Sequence, residues 1–193
     1  MYYPQQLQQF DKEEFAFVLD FMPTGKSFSN KSEPLVQLLG EEKFTLLEAV
    51  PKPNAILNLG ERVYIGKNER DKIAIIKNRT TYDDLTETSK RELSIIIDLI
   101  IKTNEKKFIN LFNTAGPLNI RQHSLDLIPG IGKKYLIEIL RQREIKKFES
   151  FDDLEQRIGL KKIPEFIRNR IILELQGNER FNLFIKQYKS KLI

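Results

Sequence analysis

At 193 residues, 40% of them hydrophobic, the chain is long enough for one large domain or two small ones, each with its own core. It has no cysteine and one histidine, His123, which excludes disulfides, thiolate zinc sites and cysteine-held iron–sulfur clusters; one histidine could not supply most of a metal site, so no metal and no cofactor is expected. The net charge of +5 is uneven: Lys and Arg against Asp and Glu number five to eight in residues 1–60, twelve to nine in 61–122 and fifteen to ten in 123–193, so the basic surface is expected in the C-terminal half.

The N-terminal MYYPQQLQQFDKEEF lacks a basic segment followed by an apolar stretch, so no signal peptide is expected. The most apolar run, Leu93 to Ile101, contains Ser94 and Asp98 and falls far short of the roughly twenty residues of a membrane span. These features predict a cytoplasmic protein with no membrane partner.

In chain order, EFAFVLDF at 14–21 alternates and is rich in aromatic and β-branched residues, which predicts a strand ended by Pro23 and Gly25. A polar loop follows at 26–33. Further strands are expected at Leu35 to Leu39, Phe44 to Val50, Val63 to Ile65 and Ile73 to Lys77, separated by turns at Gly40, Pro51 with Pro53, Gly60 and Gly66 to Asp71. Five short strands in about seventy residues suit a small OB-like β-barrel, with an SH3-like barrel as the rival, over residues 1–81. From Tyr82 the period changes to that of helices. One is expected from Thr86 to Thr103, with Leu93, Ile96, Ile97, Ile100 and Ile101 on one face, and a second from Glu105 to Asn113. The reading is therefore α+β: a β domain at 1–81 followed by an all-α domain at 82–193.

Within the helical half, LDLIPGIGKKYLIEIL at 125–140 carries the chemistry. A helix from Asn119 to Leu127, a Pro-Gly-Ile-Gly turn and a helix from Lys133 to Arg143 resemble the helix-hairpin-helix motif, here spanning 120–143. Such units hold a nucleic-acid backbone without reading bases. Gly130, Ile131 and Gly132 would present amides to a phosphate, the helix N-terminus would add its dipole, and Lys133 and Lys134 would add charge. FESFDDLEQRIGLKKIPEFIRNRIILEL at 148–175 reads as a degenerate second copy, with Ser150 as a cap, a turn from Arg157 to Lys162 and Pro164 opening the next helix. Paired hairpins of this kind would form a compact domain whose working copy is the first. His123 reads as a cap or a packed residue.

GERVYIGKNERDKI at 60–73 is a second constellation, in which Arg62, Lys67, Arg70 and Lys72 surround Tyr64 and could guide a single strand, the ring stacking on a base. Glu61, Glu69 and Asp71 offset three of those charges. The run is no Walker A loop, because five residues separate Gly60 from Gly66 and Asn68 stands where Ser or Thr would hold magnesium.

FAFVLDFMPTG at 15–25, FTLLEAVPK at 44–52, LGERVYIGKNERDKI at 59–73, YDDLT at 82–86 and LIPGIGKKYLIEIL at 127–140 together resemble the DUF655 family over residues 13–185. The resemblance implies an OB-like domain followed by a helix-hairpin-helix domain, and a non-enzymatic protein that binds nucleic acid, RNA in preference to DNA. Two other readings stand beside it. One is a protein-interaction module whose partner is a ribosomal or transcription-complex protein. The other is a DNA glycosylase or lyase, since Lys134 and Asp152 resemble the catalytic lysine and aspartate of helix-hairpin-helix glycosylases.

Overall fold

The computed structural model describes residues 13–25 and 33–185; apart from Glu33, the loop expected at 26–33 lies outside the described residues. The chain divides into two compact units, residues 1–80 and 81–193.

The first unit is a curled antiparallel sheet of β1 (Phe15–Met22), β2 (Leu35–Gly40), β3 (Leu46–Pro51), β4 (Arg62–Tyr64) and β5 (Ile73–Arg79), in the spatial order β4-β1-β2-β3-β5. The first four strands make a Greek key, because β4 returns over a long connection to pair with β1. Alternation sends Ala16, Val18, Val36, Leu38, Leu47 and Ala49 to one side, where they pack with Val63, Ile65 and Ile73. On the other face, buried Gln37 donates to Glu48 Oε1 at 3.2 Å, and Asn78 donates to Glu48 Oε2 at 3.3 Å, a polar rung across β2, β3 and β5. Register shifts between Val18 and Asp20 and between Glu48 and Ala49 bend the strands.

The sheet stays a half-barrel, with β4 and β5 as its two edges. The cause is local. β4 is only three residues long, and the chain beyond it folds on itself: Asn68 N–H donates to the Tyr64 hydroxyl at 3.2 Å and Arg70 Nε to the Gly66 carbonyl at 2.9 Å.

The second unit begins with α1 (Glu87–Thr103), capped by the Thr86 hydroxyl, which accepts from Ser89 N–H at 3.0 Å. Its face of Leu93, Ile96, Ile97, Ile100 and Ile101 is buried, as the periodicity predicts. α2 (Glu105–Thr114) follows through Asn104 and buries Phe108, Ile109 and Phe112.

The helix expected from Asn119 to Leu127 is absent. In its place stand a small hairpin of β6 (Pro117–Asn119) and β7 (Gln122–His123) and a single 3₁₀ turn at Ser124–Leu127. Local polar side chains outcompete the helical backbone here: Asn119 Oδ1 accepts from Arg121 N–H at 2.9 Å, His123 Nδ1 from Leu125 N–H at 3.1 Å and Asp126 Oδ2 from His123 N–H at 3.1 Å. Pro117 also has no N–H to give. The histidine is thus a cap.

α3 (Lys133–Ile145), α4 (Phe151–Ile158) and α5 (Ile163–Leu175) complete the unit. Their ends are tied by side chains from neighbouring helices. Arg143 donates to the Phe112 and Ala115 carbonyls, Arg157 to the Gln142 and Lys146 carbonyls, and Glu105 accepts from Phe151 N–H at 2.6 Å. Arg168 pairs with Asp98 at 2.7 Å and fastens α5 to α1. Among the described residues no helix is long and apolar enough to cross a membrane.

Candidate nucleic-acid interface

The turn at 128–132 joins the 3₁₀ segment to α3. Gly130 has φ +99°, a conformation that side chains rarely adopt, and a Cβ there would lie 2.8 Å from the Phe166 ring of α5. Glycine at 130 is therefore demanded from within. Gly132 differs: it N-caps α3 at φ −82°, and a Cβ there would meet nothing within 4 Å. Nothing among the described residues requires glycine at 132.

The amides do not all face outward. Ile131 N–H donates to the Ile128 carbonyl at 3.0 Å and its side chain is buried, so Ile131 belongs to the scaffold and leaves the expected set of phosphate donors. Among the described residues no side chain caps the first turn of α3. Lys133 and Lys134 are exposed; Lys134 Nζ lies 5.7 Å from the Tyr135 ring centre.

The turn rests on α5. Arg170, 3% exposed, donates to the Leu127 carbonyl at 3.0 Å and pairs with Glu174 at 2.8 Å and Glu179 at 2.7 Å. It also donates to the Phe181 carbonyl. Glu174 in turn accepts from the N–H groups of Leu183, Phe184 and Ile185 at 2.7–3.0 Å, which binds the last described segment to the same helix. Phe166 and Arg170 escaped the sequence reading as parts of this site. A signal did exist, since Arg170 and Glu174 are charges four residues apart on the apolar Ile163, Ile167, Ile171 face, the spacing of a buried helical pair.

The helix–turn–helix of α4 and α5 has a shorter turn than expected, since α4 runs on to Ile158. Gly159 and Lys162 take the left-handed region, at φ +66° and +70°. This turn is already occupied by an acid: Glu155 Oε1 accepts from Ile163 N–H at 2.8 Å, and Glu165 stands in the first turn of α5.

The residues expected at 60–73 share one unit, but most engage internal partners. Arg62 forms a two-pronged pair with Glu41, closest approach 2.7 Å, and lies 3.5 Å from the Phe15 ring centre. Lys72 contacts Glu61 and the Ile56 carbonyl, and its hydrogen bond holds the Glu61 carboxyl below its usual range. Tyr64 sits edge-on to Phe15 at 5.2 Å and closes over Gly66, where a Cβ would collide with its hydroxyl at 2.3 Å. Lys67 is exposed and has no partner among the described residues. Asp152 stands in the first turn of α4, where an acid complements the helix dipole.

The family described as "Protein of unknown function (DUF655)" matches residues 12–186. Uncharacterized protein MJ0038 of Methanocaldococcus jannaschii is 42% identical over 195 residues, an alignment that takes in 100% of this chain and 89% of that protein. The crystal structure of Af1531 from Archaeoglobus fulgidus, also described as DUF655, matches with a TM-score of 0.83 at 42% identity, covering 90% of this chain and 100% of that one.

Proposed function

We propose that this chain, which belongs to the DUF655 family, is a non-enzymatic nucleic-acid-binding protein that holds a sugar-phosphate backbone at the 128–134 turn. One observation carries the reading. Of the five α-helices described, α3 alone has no acidic residue in its first turn; the others carry Glu87, Glu105, Asp152 with Asp153, and Glu165 there. At α3 an uncapped set of amides and a positive dipole end meet Lys133 and Lys134, an arrangement that favours an anion from outside the chain. Gly132, which the fold itself does not need, supports a close approach of that anion to the backbone.

In this reading the 120–143 segment works as a shortened helix-hairpin-helix whose leading element is the 3₁₀ turn, and α4 with α5 is its structural companion. The Greek-key half-barrel serves as an OB-like partner unit, which favours RNA over DNA and a single-stranded portion over duplex. Of the 60–73 cations, Lys67 is the one with no partner among the described residues, and it is the residue of the β unit proposed to meet RNA; Arg62, Tyr64, Arg70 and Lys72 shape the surface around it. The test is a salt titration of binding to a labelled single-stranded RNA. With three to five phosphates neutralised, log affinity falls against log salt with a slope of about −2 to −5. Salt-independent binding would contradict the reading.

Protein contact is the second reading, favoured by Ile137 and Ile145, which are 66% and 72% exposed on α3. Capture of a ribosomal or transcription-complex protein that survives nuclease and high salt would favour it.

A further inference from the structure

The tip of the β6–β7 hairpin breaks the local rules of turn chemistry. Pairing of Asn119 with Gln122 leaves Ile120 and Arg121 as the two turn residues, a place normally given to glycine, asparagine or aspartate. Neither has a positive φ, and the Asn119 side chain pins the turn by accepting Arg121 N–H at 2.9 Å. Ile120 is 105% exposed and Leu118, two residues before it, 38%, so an isoleucine stands wholly in water at the tip of the hairpin. A side chain so fully solvated buries no apolar surface within the fold. Departures from local preference without internal gain are characteristic of functional positions.

The root of the projection is fixed. Both the N–H and the hydroxyl of Ser124 donate to the Gly116 carbonyl, at 3.1 and 2.7 Å, closing the hairpin at its base. From there the His123 cap and the 3₁₀ turn lead directly into the 128–132 turn, so the tip and the proposed phosphate site belong to one short, braced stretch of chain. The charges agree: Arg121 is exposed with no side-chain partner among the described residues, and the acid between the tip and Lys133, Asp126, already accepts from His123 N–H.

Resting on the nucleic-acid reading above, we infer that Ile120 is a wedge that enters a base step of the bound nucleic acid while Arg121 meets the adjoining phosphate. Apolar side chains used in this way partly unstack neighbouring bases, and the contact they make is insensitive to salt. Wedge and turn would then divide the work, one supplying a non-electrostatic contact and the other the charge.

The experiment is a salt titration with a labelled RNA hairpin that has a single-stranded tail, using the full chain and its Ile120→Ser variant. Ile120→Ser is expected to lose about tenfold in affinity, the scale of burying one aliphatic side chain, with an unchanged salt slope. Because the chain has no tryptophan, Ile120→Trp provides a single tryptophan, excited selectively over the six tyrosines, whose emission should be quenched on binding; unquenched emission in a complex would overturn the wedge. Binding by Ile120→Ser equal to that of the unaltered chain would overturn the wedge and leave the phosphate site standing. Absence of binding by the unaltered chain would overturn both. Tip-dependent capture of a protein after nuclease treatment, with RNA affinity unaffected, would assign the tip to a protein partner and overturn the wedge.

Discussion

The two turns of the helical unit, 128–132 and 159–163, face the same problem and solve it differently. Each leads into a thirteen-residue helix with unsatisfied N-terminal amides. At the second turn the chain supplies its own anion, with Glu155 on Ile163 N–H and Glu165 within the same first turn of α5. At the first, none comes from the described residues, and two lysines stand there instead. A cationic sequence is thus a poor guide to an anion site when taken alone: Lys161 and Lys162 match Lys133 and Lys134 in number, yet the second turn already has its carboxylate. What separates the turns is what the fold leaves unsatisfied.

The sharpest way to break this comparison is to remove the support that only the first turn has. Arg170→Ala leaves Glu174 buried without its cation and the Leu127 carbonyl without its donor, and is expected to destabilise the chain by about 3–5 kcal/mol, read from denaturant unfolding. Wild-type stability in that variant would show that the first turn does not depend on α5. Next in size are the glycines. Gly130→Ala meets both an unfavourable φ and the Phe166 ring and should cost about 1–3 kcal/mol, more than Gly159→Ala, which has open space around it. Gly132→Ala should cost less than about 1 kcal/mol in stability yet weaken RNA binding several-fold. Glu155→Gln should cost about 1 kcal/mol by weakening the cap of α5.

The smallest effect concerns pH. Burial first, then the charge of Arg143, holds the His123 imidazole below its usual range, and its neutral Nδ1 accepts Leu125 N–H. The unfolded chain therefore takes up this proton first. Stability present above about pH 6.5 is lost as pH falls from there toward the lower folded value. Thermal melts between pH 7 and 5 should decline less steeply in His123→Asn; an identical decline would remove His123 from the account.

Much of the fold was legible because periodicity reports burial. Alternation at 14–21 and the spacing of Leu93, Ile97 and Ile101 led to β1 and α1 nearly residue for residue. The stretch at 117–127 was not legible, because Asn119, His123 and Asp126 each form a short-range bond that hydropathy does not register. The open edge between β4 and β5 was hidden for the same reason, since it depends on where the Tyr64 hydroxyl and Arg70 turn back on their own loop. At the candidate site, Gly130, Gly132 and the two lysines could be named from their order, but the Ile131 amide is taken by the Ile128 carbonyl three residues back and Arg70 by the Gly66 carbonyl, local bonds that hydropathy does not register, while other 60–73 cations are held by partners further off in sequence. Arg62 and Glu41, twenty-one residues apart, are an example.

The most direct test compares the two lysine pairs in one salt titration against the same single-stranded RNA. Lys133→Glu with Lys134→Glu should flatten the slope of log affinity against log salt by about 1–2, whereas Lys161→Glu with Lys162→Glu should change it by far less. Equal flattening by the two pairs, or an unchanged slope in the first, would contradict the assignment of the phosphate contact to the 128–134 turn.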